Sequence, residues 1–249
     1  MLYSQKFAII TPYYKEPRAT LQRAIDSVKA LNDCGLQVVH YLISDGHPQD
    51  LNDDSLVHIQ LPQAHGDYGD TPRIVGAALA IRDGCYGLMF LDADNILYPD
   101  HMQLAYKAHQ EHQTDLVLAR RRMLREDGSI IPYESDTYQN ISHVDTGCYV
   151  FFGEKIYDVL QWAKIPSALS VVGDRYFWKM LSGQSTGNLG IITQPTIGYT
   201  CLWKDVYLNA GEPPPENAKL LNFEVHDNFC NRLNDPEKVR LNQRLFQHD

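Results

Sequence analysis

The sequence predicts an α/β fold built on a mostly parallel sheet that helices cover on both faces. Strand-like apolar runs alternate with segments of helical periodicity through the first third of the 249-residue chain. These runs contain few polar residues, which is typical of strands buried on both faces. Such strand-helix-strand units favour parallel pairing, and the length allows one large domain with a substantial core.

The local pattern predicts the first elements in order. KFAIITP is a β-prone run that ends at Pro12, and ATLQRAIDSVKAL then places apolar residues at helical spacing. LQVVHYLISDG and LVHIQLP are two further strand-like runs, each closed by turn residues. TPRIVGAALAIRDG predicts a helix with Thr71 as N-cap, Pro72 at the first helical position and Gly84 past its end. The strand YGLMFLDAD follows.

The second half has a less regular pattern. We expect a helix near residues 99–113, and a hairpin in DLVLARRRMLREDGSIIPY that turns at Asp127 and Gly128. DTGCYVFFGEKIYDVLQWA predicts a strand followed by a helix, and VVGDRYFWKML a short helix entered through Gly173 and Asp174. Beyond residue 203 the pattern weakens: NAGEPPPEN is loop-like and DPEKVRLNQRLFQ is helical.

Composition excludes several classes of protein. A formal net charge of −9 argues against a general nucleic-acid surface, because neutralising phosphates needs concentrated Lys and Arg. Five cysteines without a CxxC pair predict reduced thiols, and neither a disulfide framework nor a zinc site. No apolar stretch approaches the roughly 18 to 20 residues that span a bilayer, and the start does not resemble a signal peptide. We therefore expect a cytoplasmic protein without a transmembrane segment.

The polar residues at the strand ends are the first candidates for a binding site. In open α/β sheets, ligands bind outside the carboxyl ends of the strands. Three segments lie at such ends: residues 11–16, 45–47 and 92–95.

Asp92 and Asp94, in LDADN, carry the strongest chemical signal. Two carboxylates that flank one residue at a turning strand end can converge on a divalent cation, and their hard oxygens suit Mg²⁺ or Mn²⁺. Such a cation would bridge the oxygens of a diphosphate. The alternative is that Asp94 and Asn95 cap the following helix.

Four motifs in order resemble a known family. They are IITPYYKEP, ISDGH, the helix start GDYGDTPRIVG, and LDADN. Together they are similar to the nucleotide-binding half of the GT-A glycosyltransferases, most closely glycosyltransferase family 2. The resemblance covers residues 6–100 well and extends more loosely to 180. It departs from the family pattern at SDGH, where Ser44 replaces the first acid and His47 the usual serine, so the base selectivity stays open.

The resemblance implies the fold, the domain organisation and the reaction. We expect a GT-A domain over residues 1–203, with a nucleotide-binding part in 1–100, a smaller mixed acceptor-binding part in 101–203, and a C-terminal loop and helix in 204–249 on the same domain. The implied reaction moves a sugar, with inversion, from a nucleoside diphosphate donor (UDP-sugar favoured) to a hydroxyl of a glycan or glycolipid. By analogy the enzyme would serve bacterial surface-glycan synthesis, where peripheral membrane contact is conceivable. The alternatives are a sugar-phosphate nucleotidyltransferase and a non-catalytic nucleotide-sugar-binding protein.

The same resemblance assigns the nucleotide-binding residues: Thr11, Pro12, Tyr13, Glu16, Asp45, Arg73 and Asp92. Asp45 would read the base edge, although Asp45-Gly46 alone is more often an ordinary turn. Arg73 would lie near the base or phosphates, where it adds positive charge to a helix N-terminus; the alternative is a solvated surface arginine. Tyr13 would stack on the base or belong to the core.

The metal ligands implied by the resemblance are Asp94 directly, Asp92 beside the ribose and metal, and a C-terminal histidine for Mn²⁺ or Mg²⁺. His226 in FEVHDNF is the candidate histidine, against the alternative of an ordinary surface histidine. His101, one turn into the helix after LDADN, is the weaker candidate.

The catalytic base in this family is the Asp of a Glu-Asp pair that opens a helix. VVGDRYFW matches that position with Gly173 in place of Glu, so Asp174 is the candidate; its alternative role is stabilising the first turn of its helix. Asp145 in HVDTGCYVFF is the competing base, and Thr146 and Gly147 would face the sugar.

The run ARRRMLRED has a separate interpretation. Strand alternation sends Arg120 and Arg122 to one face and Arg121 to the other. A solvated hairpin is favoured over contact with an anionic acceptor or lipid head groups.

Overall fold

A computed structural model describes residues 5–134, 136, 138, 141, 143–183 and 189–246. The strands of this part are β1 (Lys6–Tyr13), β2 (Gln37–Ser44), β3 (Leu56–Gln60), β4 (Gly87–Phe90), β5 (Ile96–Leu97), β6 (Leu116–Leu124), β7 (Ile130–Glu134), β8 (Tyr149–Phe152) and β9 (Leu189–Thr200). The α-helices are α1 (Arg18–Lys29), α2 (Asp70–Arg82), α3 (His101–His112), α4 (Gly173–Gly183), α5 (Lys204–Asn209), α6 (Glu224–Arg232) and α7 (Asp235–Phe246).

The sheet has a parallel half and a mixed half. Its order is β3-β2-β1-β4-β8-β6-β9-β5, with β7 paired to β6. The strands β3, β2, β1 and β4 pair with one another in parallel. β8 runs antiparallel to both β4 and β6, whereas β9 is parallel to β6. The predicted parallel sheet with a smaller mixed region is confirmed.

Close packing of α2 on β1 positions the start of that helix at the carboxyl edge of the sheet. β1 and β4 are buried along almost their whole length, as their apolar runs predict. A Cβ atom placed on Gly76 of α2 would lie 2.5 Å from the side chain of Ile10, so a glycine is required for this approach. The first turn of α2, which carries Arg73, therefore lies at the ends of β1 and β4.

The N-cap predicted for α2 is wrong. The helix begins at Asp70, so Thr71 is already inside its first turn. Asp67 accepts hydrogen bonds from the backbone N (3.0 Å) and the Oγ1 (2.5 Å) of Thr71 and so satisfies the helix start. Gly84 follows the end of the helix as predicted, with φ at +74°.

Most predicted elements of the second half are present, but four elements differ from the prediction. The helix near 99–113, the hairpin with Gly128 at φ +83° and the short helix that opens at Gly173 are confirmed. The segment Gly153–Lys164 is a 3-10 helix rather than an α-helix. The sequence pattern predicted neither the long strand β9, which contains Pro195, nor the helices α5 and α6.

The C-terminal helix packs on the same core as the sheet. Leu245 of α7 is fully buried in the main hydrophobic cluster. The rings of Tyr176 (α4) and Phe246 (α7) stack with centroids 6.4 Å apart. None of the helices in the described ranges is long and apolar enough to cross a bilayer.

Candidate active site

Two adjoining clefts lie at the edge of the sheet where β1, β2 and β4 end. The first has a volume of about 440 Å³ and is lined by the loops after these strands and the start of α2. The second, of about 540 Å³, lies between β6, the segment around Asp145, the start of α4 and the chain after β9. Tyr199 lines both clefts, so they adjoin at this residue.

The structure brings most of the predicted nucleotide and metal residues to the first cleft: Pro12, Tyr13, Glu16, Asp45, Arg73, Asp92 and Asp94. Thr11 is the exception among the predicted nucleotide-binding residues. It is fully buried, and its Oγ1 lies 2.8 Å from Nε2 of His40 on β2. Its side chain is therefore part of the sheet interior and does not line the cleft.

The exposed aromatic rings of the first cleft belong to other tyrosines than Tyr13, the one proposed to stack on the base. The Tyr13 hydroxyl accepts a hydrogen bond from the backbone N of Gln49 (3.0 Å) and lies 2.8 Å from Nε2 of His58, so this ring is a fixed, buried wall. Tyr14 and Tyr68, by contrast, are 40% and 69% exposed. Aromatic rings open to a cleft can stack on a base, and the signals for them were the second tyrosine of PYYKEP and the tyrosine of GDYGD.

Asp45 is held in one orientation by the loop before α2. Its carboxylate accepts hydrogen bonds from the backbone N of His65 (3.0 Å) and of Gly66 (3.2 Å), and Nδ1 of His65 lies 2.9 Å away. Asp45-Gly46 is therefore more than an exposed turn. The carboxylate joins the end of β2 to residues 65–66 and forms one end of the cleft.

Arg73 is the buried cation of the first cleft. Its side chain donates to the backbone O of Tyr68 (2.8 Å) and to Oδ1 of Asp92 (2.5 Å), and lies 3.6 Å from Asp70. Burial opposes the charge, but Asp92 and Asp70 outweigh it and raise the pKa of Arg73. With 7% of its surface exposed, Arg73 is not the solvated arginine of the alternative interpretation.

A buried carboxylate, Asp70, links this cleft to the start of α4. Nε1 of Trp162 donates to its Oδ1 (2.5 Å), and its other carboxylate oxygen, Oδ2, is buried. Burial, opposed by Arg73, raises the pKa of Asp70 to about 6. A Cβ on Gly173 would lie 3.5 Å from that Oδ2. This is an ordinary van der Waals distance, so space alone does not require a glycine at position 173.

Hydrogen bonds from Thr200 at the end of β9 hold the turn that carries Asp94. Oδ1 of Asn95 accepts the backbone N–H of Thr200 (2.9 Å), and the backbone O of Asp94 accepts from Arg23 (2.9 Å) and from the Thr200 hydroxyl. The helix-capping alternative is wrong, because β5 intervenes and α3 begins only at His101.

The charges around Asp94 suit a divalent cation. Burial, with the nearby Asp92 and Glu16, raises the pKa of Asp94 to about 7. A bound cation would relieve that repulsion. The described residues contain no cluster of three potential metal ligands of the His, Cys, Asp or Glu type. Asp92 and Asp94 are the carboxylates that would hold a hard divalent cation here.

His226 and His101 do not join this group. His226 lies on α6, where its Nε2 is 3.3 Å from the Tyr176 hydroxyl and its Nδ1 2.9 Å from Asp227, and it lines a different cleft. His101 is fully buried, with Nδ1 2.9 Å from Oγ1 of Thr196. Neither histidine therefore lines the cleft that contains Asp94.

Asp174 faces the second cleft with its carboxylate partly exposed. Its Oδ1 accepts from the backbone N of Arg175 (2.8 Å), and its Oδ2 lies 2.8 Å from Nε2 of His143. About a quarter (26%) of its side chain is open to solvent. A carboxylate in this setting can accept a proton from a molecule in the cleft.

Asp145, the competing candidate, is committed to other contacts. Its Oδ2 accepts from Nη1 of Arg121 (2.6 Å) and its Oδ1 from the backbone N of Gly147 (3.0 Å). Burial raises the pKa of Asp145, and the charge of Arg121 offsets only part of that rise. Thr146 and Gly147 are buried in the 3-10 turn before β8, and neither lines the two clefts.

Arg121 corrects the interpretation of the arginine run. Alternation is as predicted, with Arg122 exposed, but Arg121 is buried and not part of a solvated hairpin. It donates to both oxygens of Asp136 (2.8 and 2.9 Å) as well as to Asp145. No local pattern marks this cluster, since both acids come from a segment that follows the hairpin.

The sequence matches no protein-family model and no curated protein. The structure, however, is similar to that of S. aureus TarS. TarS 1-349 in complex with UDP has a TM-score of 0.62 at 14% identity, over 97% of this chain and 70% of that one. TarS 1-349 in complex with UDP-GlcNAc has a TM-score of 0.60 at 13% identity with the same coverage. In a longer TarS structure, of which this chain spans 42%, the TM-score is 0.59. These comparisons confirm the predicted GT-A fold.

Proposed function

We propose that the chain is a nucleotide-sugar-dependent glycosyltransferase that moves a sugar from a nucleoside diphosphate, with UDP favoured, to a hydroxyl acceptor. The observation that carries the proposal is the adjacency of the two clefts. One contains a fixed acid, a buried arginine and the paired carboxylates Asp92 and Asp94; the other contains the partly exposed carboxylate of Asp174. The TarS structures with UDP and with UDP-GlcNAc support this assignment, because they share the fold.

The donor would lie along the first cleft. The nucleobase of the donor would lie at the Asp45 end of the cleft, against the exposed ring of Tyr14 or Tyr68. The diphosphate would lie at the Arg73 end. An anionic ligand needs local positive charge because the net charge of the chain is −9. Arg73, in the first turn of α2, and the N-terminus of that helix supply it.

Asp94 and Asp92 would hold the Mn²⁺ or Mg²⁺ ion. When bound, such an ion supplies charge stabilisation to the departing diphosphate. The protein contributes the fixed turn of Asp94, braced by Asn95 and Thr200. The positive charge of Lys219, which lines the second cleft, offsets a small part of the rise in the pKa of Asp94.

The chemical step would be a direct displacement. The Asp174 carboxylate takes the proton of the acceptor hydroxyl, and the acceptor oxygen forms a bond to the anomeric carbon. The bond from that carbon to the diphosphate oxygen breaks, and its electron pair leaves with the nucleoside diphosphate. Attack from the face opposite the leaving group gives the inverted product.

No feature of the site favours the two alternative functions. A nucleotidyltransferase would bind a triphosphate through a Gly-rich loop, whereas the loop after β1 reads YKEP. The missing glutamate before Asp174 was the argument for a non-catalytic protein, but the carboxylate of Asp174 itself lines the second cleft and is partly exposed. A glycan or glycolipid of the bacterial surface remains the acceptor that we propose, on the family resemblance.

The metal assignment predicts a specific loss in Asp94→Asn. Calorimetric titration of UDP should show binding to the wild-type chain that Mn²⁺ strengthens. The amide is a neutral, weaker ligand. In the presence of Mn²⁺ the variant should therefore bind UDP at least about tenfold more weakly than the wild type. Asp54→Asn, at an exposed loop position, is the matched control and should bind UDP like the wild type. Equal, Mn²⁺-dependent UDP binding by wild type and Asp94→Asn would refute the assignment.

A further inference from the structure

Asp174 and His143 form a bonded pair at the mouth of the second cleft. Nε2 of His143 lies 2.8 Å from Oδ2 of Asp174, while Oδ1 of Asp174 accepts from the backbone N of Arg175. Each carboxylate oxygen therefore has one protein partner and keeps lone pairs for another group. About a third (34%) of the His143 side chain is exposed, so the pair borders the space that an acceptor would occupy.

The residues two positions before and after His143 both contact other elements of the fold. Two residues before it, the backbone O of Ile141 accepts a hydrogen bond from Nε1 of Trp178 on α4 (3.0 Å). Two residues after it, Asp145 is paired with the buried Arg121 of β6. Contacts to α4 and to β6 therefore flank His143 in the chain, and its imidazole is paired with Asp174 at the start of α4.

The bond has only one chemically sensible direction when Asp174 acts as a base. An ionised carboxylate is an acceptor only, so the shared proton must be on Nε2 of His143. A hydrogen bond from this N–H to Oδ2 restrains the rotation of the carboxylate. One lone pair of Oδ2 is then occupied, and the carboxylate keeps others for a molecule in the cleft that it lines.

We propose that His143 is a positioning residue for Asp174: its Nε2–H orients the carboxylate that removes the proton of the acceptor. This inference rests on the proposed function and deepens it, because it concerns the same chemical step. The acceptor proton still goes to Asp174, and His143 neither gains nor loses a proton in the transfer.

Two amide substitutions test the proposal. His143→Gln places an amide N–H close to the position of Nε2, so it can still donate to Asp174. His143→Asn has a shorter side chain, and its amide lies near the position of Nδ1, out of reach of Asp174. The assay measures release of UDP from UDP-sugars, UDP-GlcNAc first, with Mn²⁺ and with water or an added sugar as acceptor.

We expect kcat of His143→Asn to fall by about 10- to 100-fold, the size of effect that a misoriented catalytic group causes. The KM for the donor and the affinity for UDP should stay within about twofold of wild type, since the first cleft is untouched. His143→Gln should recover kcat to within about threefold of wild type. In an Asp174→Asn background, His143→Asn should cause no further loss. His112→Gln, on the exposed end of α3, serves as the control.

Equal kcat values for the Gln and Asn variants, or a loss that resides in the donor KM, would overturn the proposal. If His143→Asn does not fold, a folded His143→Gln variant that has lost more than about threefold in kcat would also overturn it. A wild-type chain that releases no UDP contradicts the proposed function itself, whereas an active wild type with fully active variants contradicts only the role of His143.

Discussion

Asp174→Asn is expected to abolish sugar transfer while leaving nucleotide binding intact. The amide has nearly the same shape and its oxygen can still accept the backbone N–H of Arg175, so the start of α4 should be undisturbed. It cannot, however, take the proton of the acceptor. Loss of a general base typically costs 10²- to 10⁴-fold, and we expect kcat to fall by about 10³-fold, with UDP affinity unchanged within about twofold.

Two further variants make this result specific. Asp205→Asn removes an exposed acid of the same cleft and should retain wild-type kcat. Asp145→Asn should act mainly on stability, because Asp145 is paired with Arg121. If Asp174→Asn kept near-normal turnover while folded Asp145→Asn was inactive, the base would be Asp145 instead.

Arg121→Met is expected to cause the largest loss of stability. It removes the shared partner of two carboxylates, Asp136 and Asp145, in a buried cluster. Breaking a buried ion pair by deleting one member typically costs about 3 to 5 kcal/mol, because the remaining charge is left without compensation. The free energy of unfolding from urea denaturation should fall by that amount.

Arg122→Met is the matched control for this prediction. Arg122 is the next residue of β6 but points to solvent, where it lies over the ring of Tyr98 at 5.7 Å. Its replacement should change the free energy of unfolding by no more than about 1 kcal/mol. Equal effects of the two substitutions would mean that the Arg121 cluster does not stabilise the fold as described.

The parallel half of the sheet was predictable because its signals are local. β1, β2 and β4 are short apolar runs closed by polar or turn residues, and parallel strands end at one edge. This geometry alone brings Asp45, Asp92 and Asp94 to one cleft. The sequence did not show that Thr11 lies outside this cleft. Its side chain instead contacts His40 of the neighbouring strand, and the local pattern does not predict that contact.

The contacts that complete the site join residues far apart in the chain. Trp162 donates to Asp70 across 92 positions, and Thr200 braces Asn95 across 105. A single sequence contains no spacing rule for such pairs. β9 was missed for a related reason: it contains Pro195 and alternates irregularly, and its place depends on pairing with β6 through shifts of register.

The most direct test of the account is the release of UDP from UDP-sugars by the wild-type chain. UDP-GlcNAc and other UDP-sugars would be incubated with Mn²⁺ and with water or a sugar acceptor, and the released UDP quantified against Asp94→Asn and an EDTA-treated sample. The account predicts Mn²⁺-dependent release by the wild type that both controls lack. A wild-type chain that binds UDP but releases none from any of these donors would contradict it and would identify a nucleotide-sugar-binding protein.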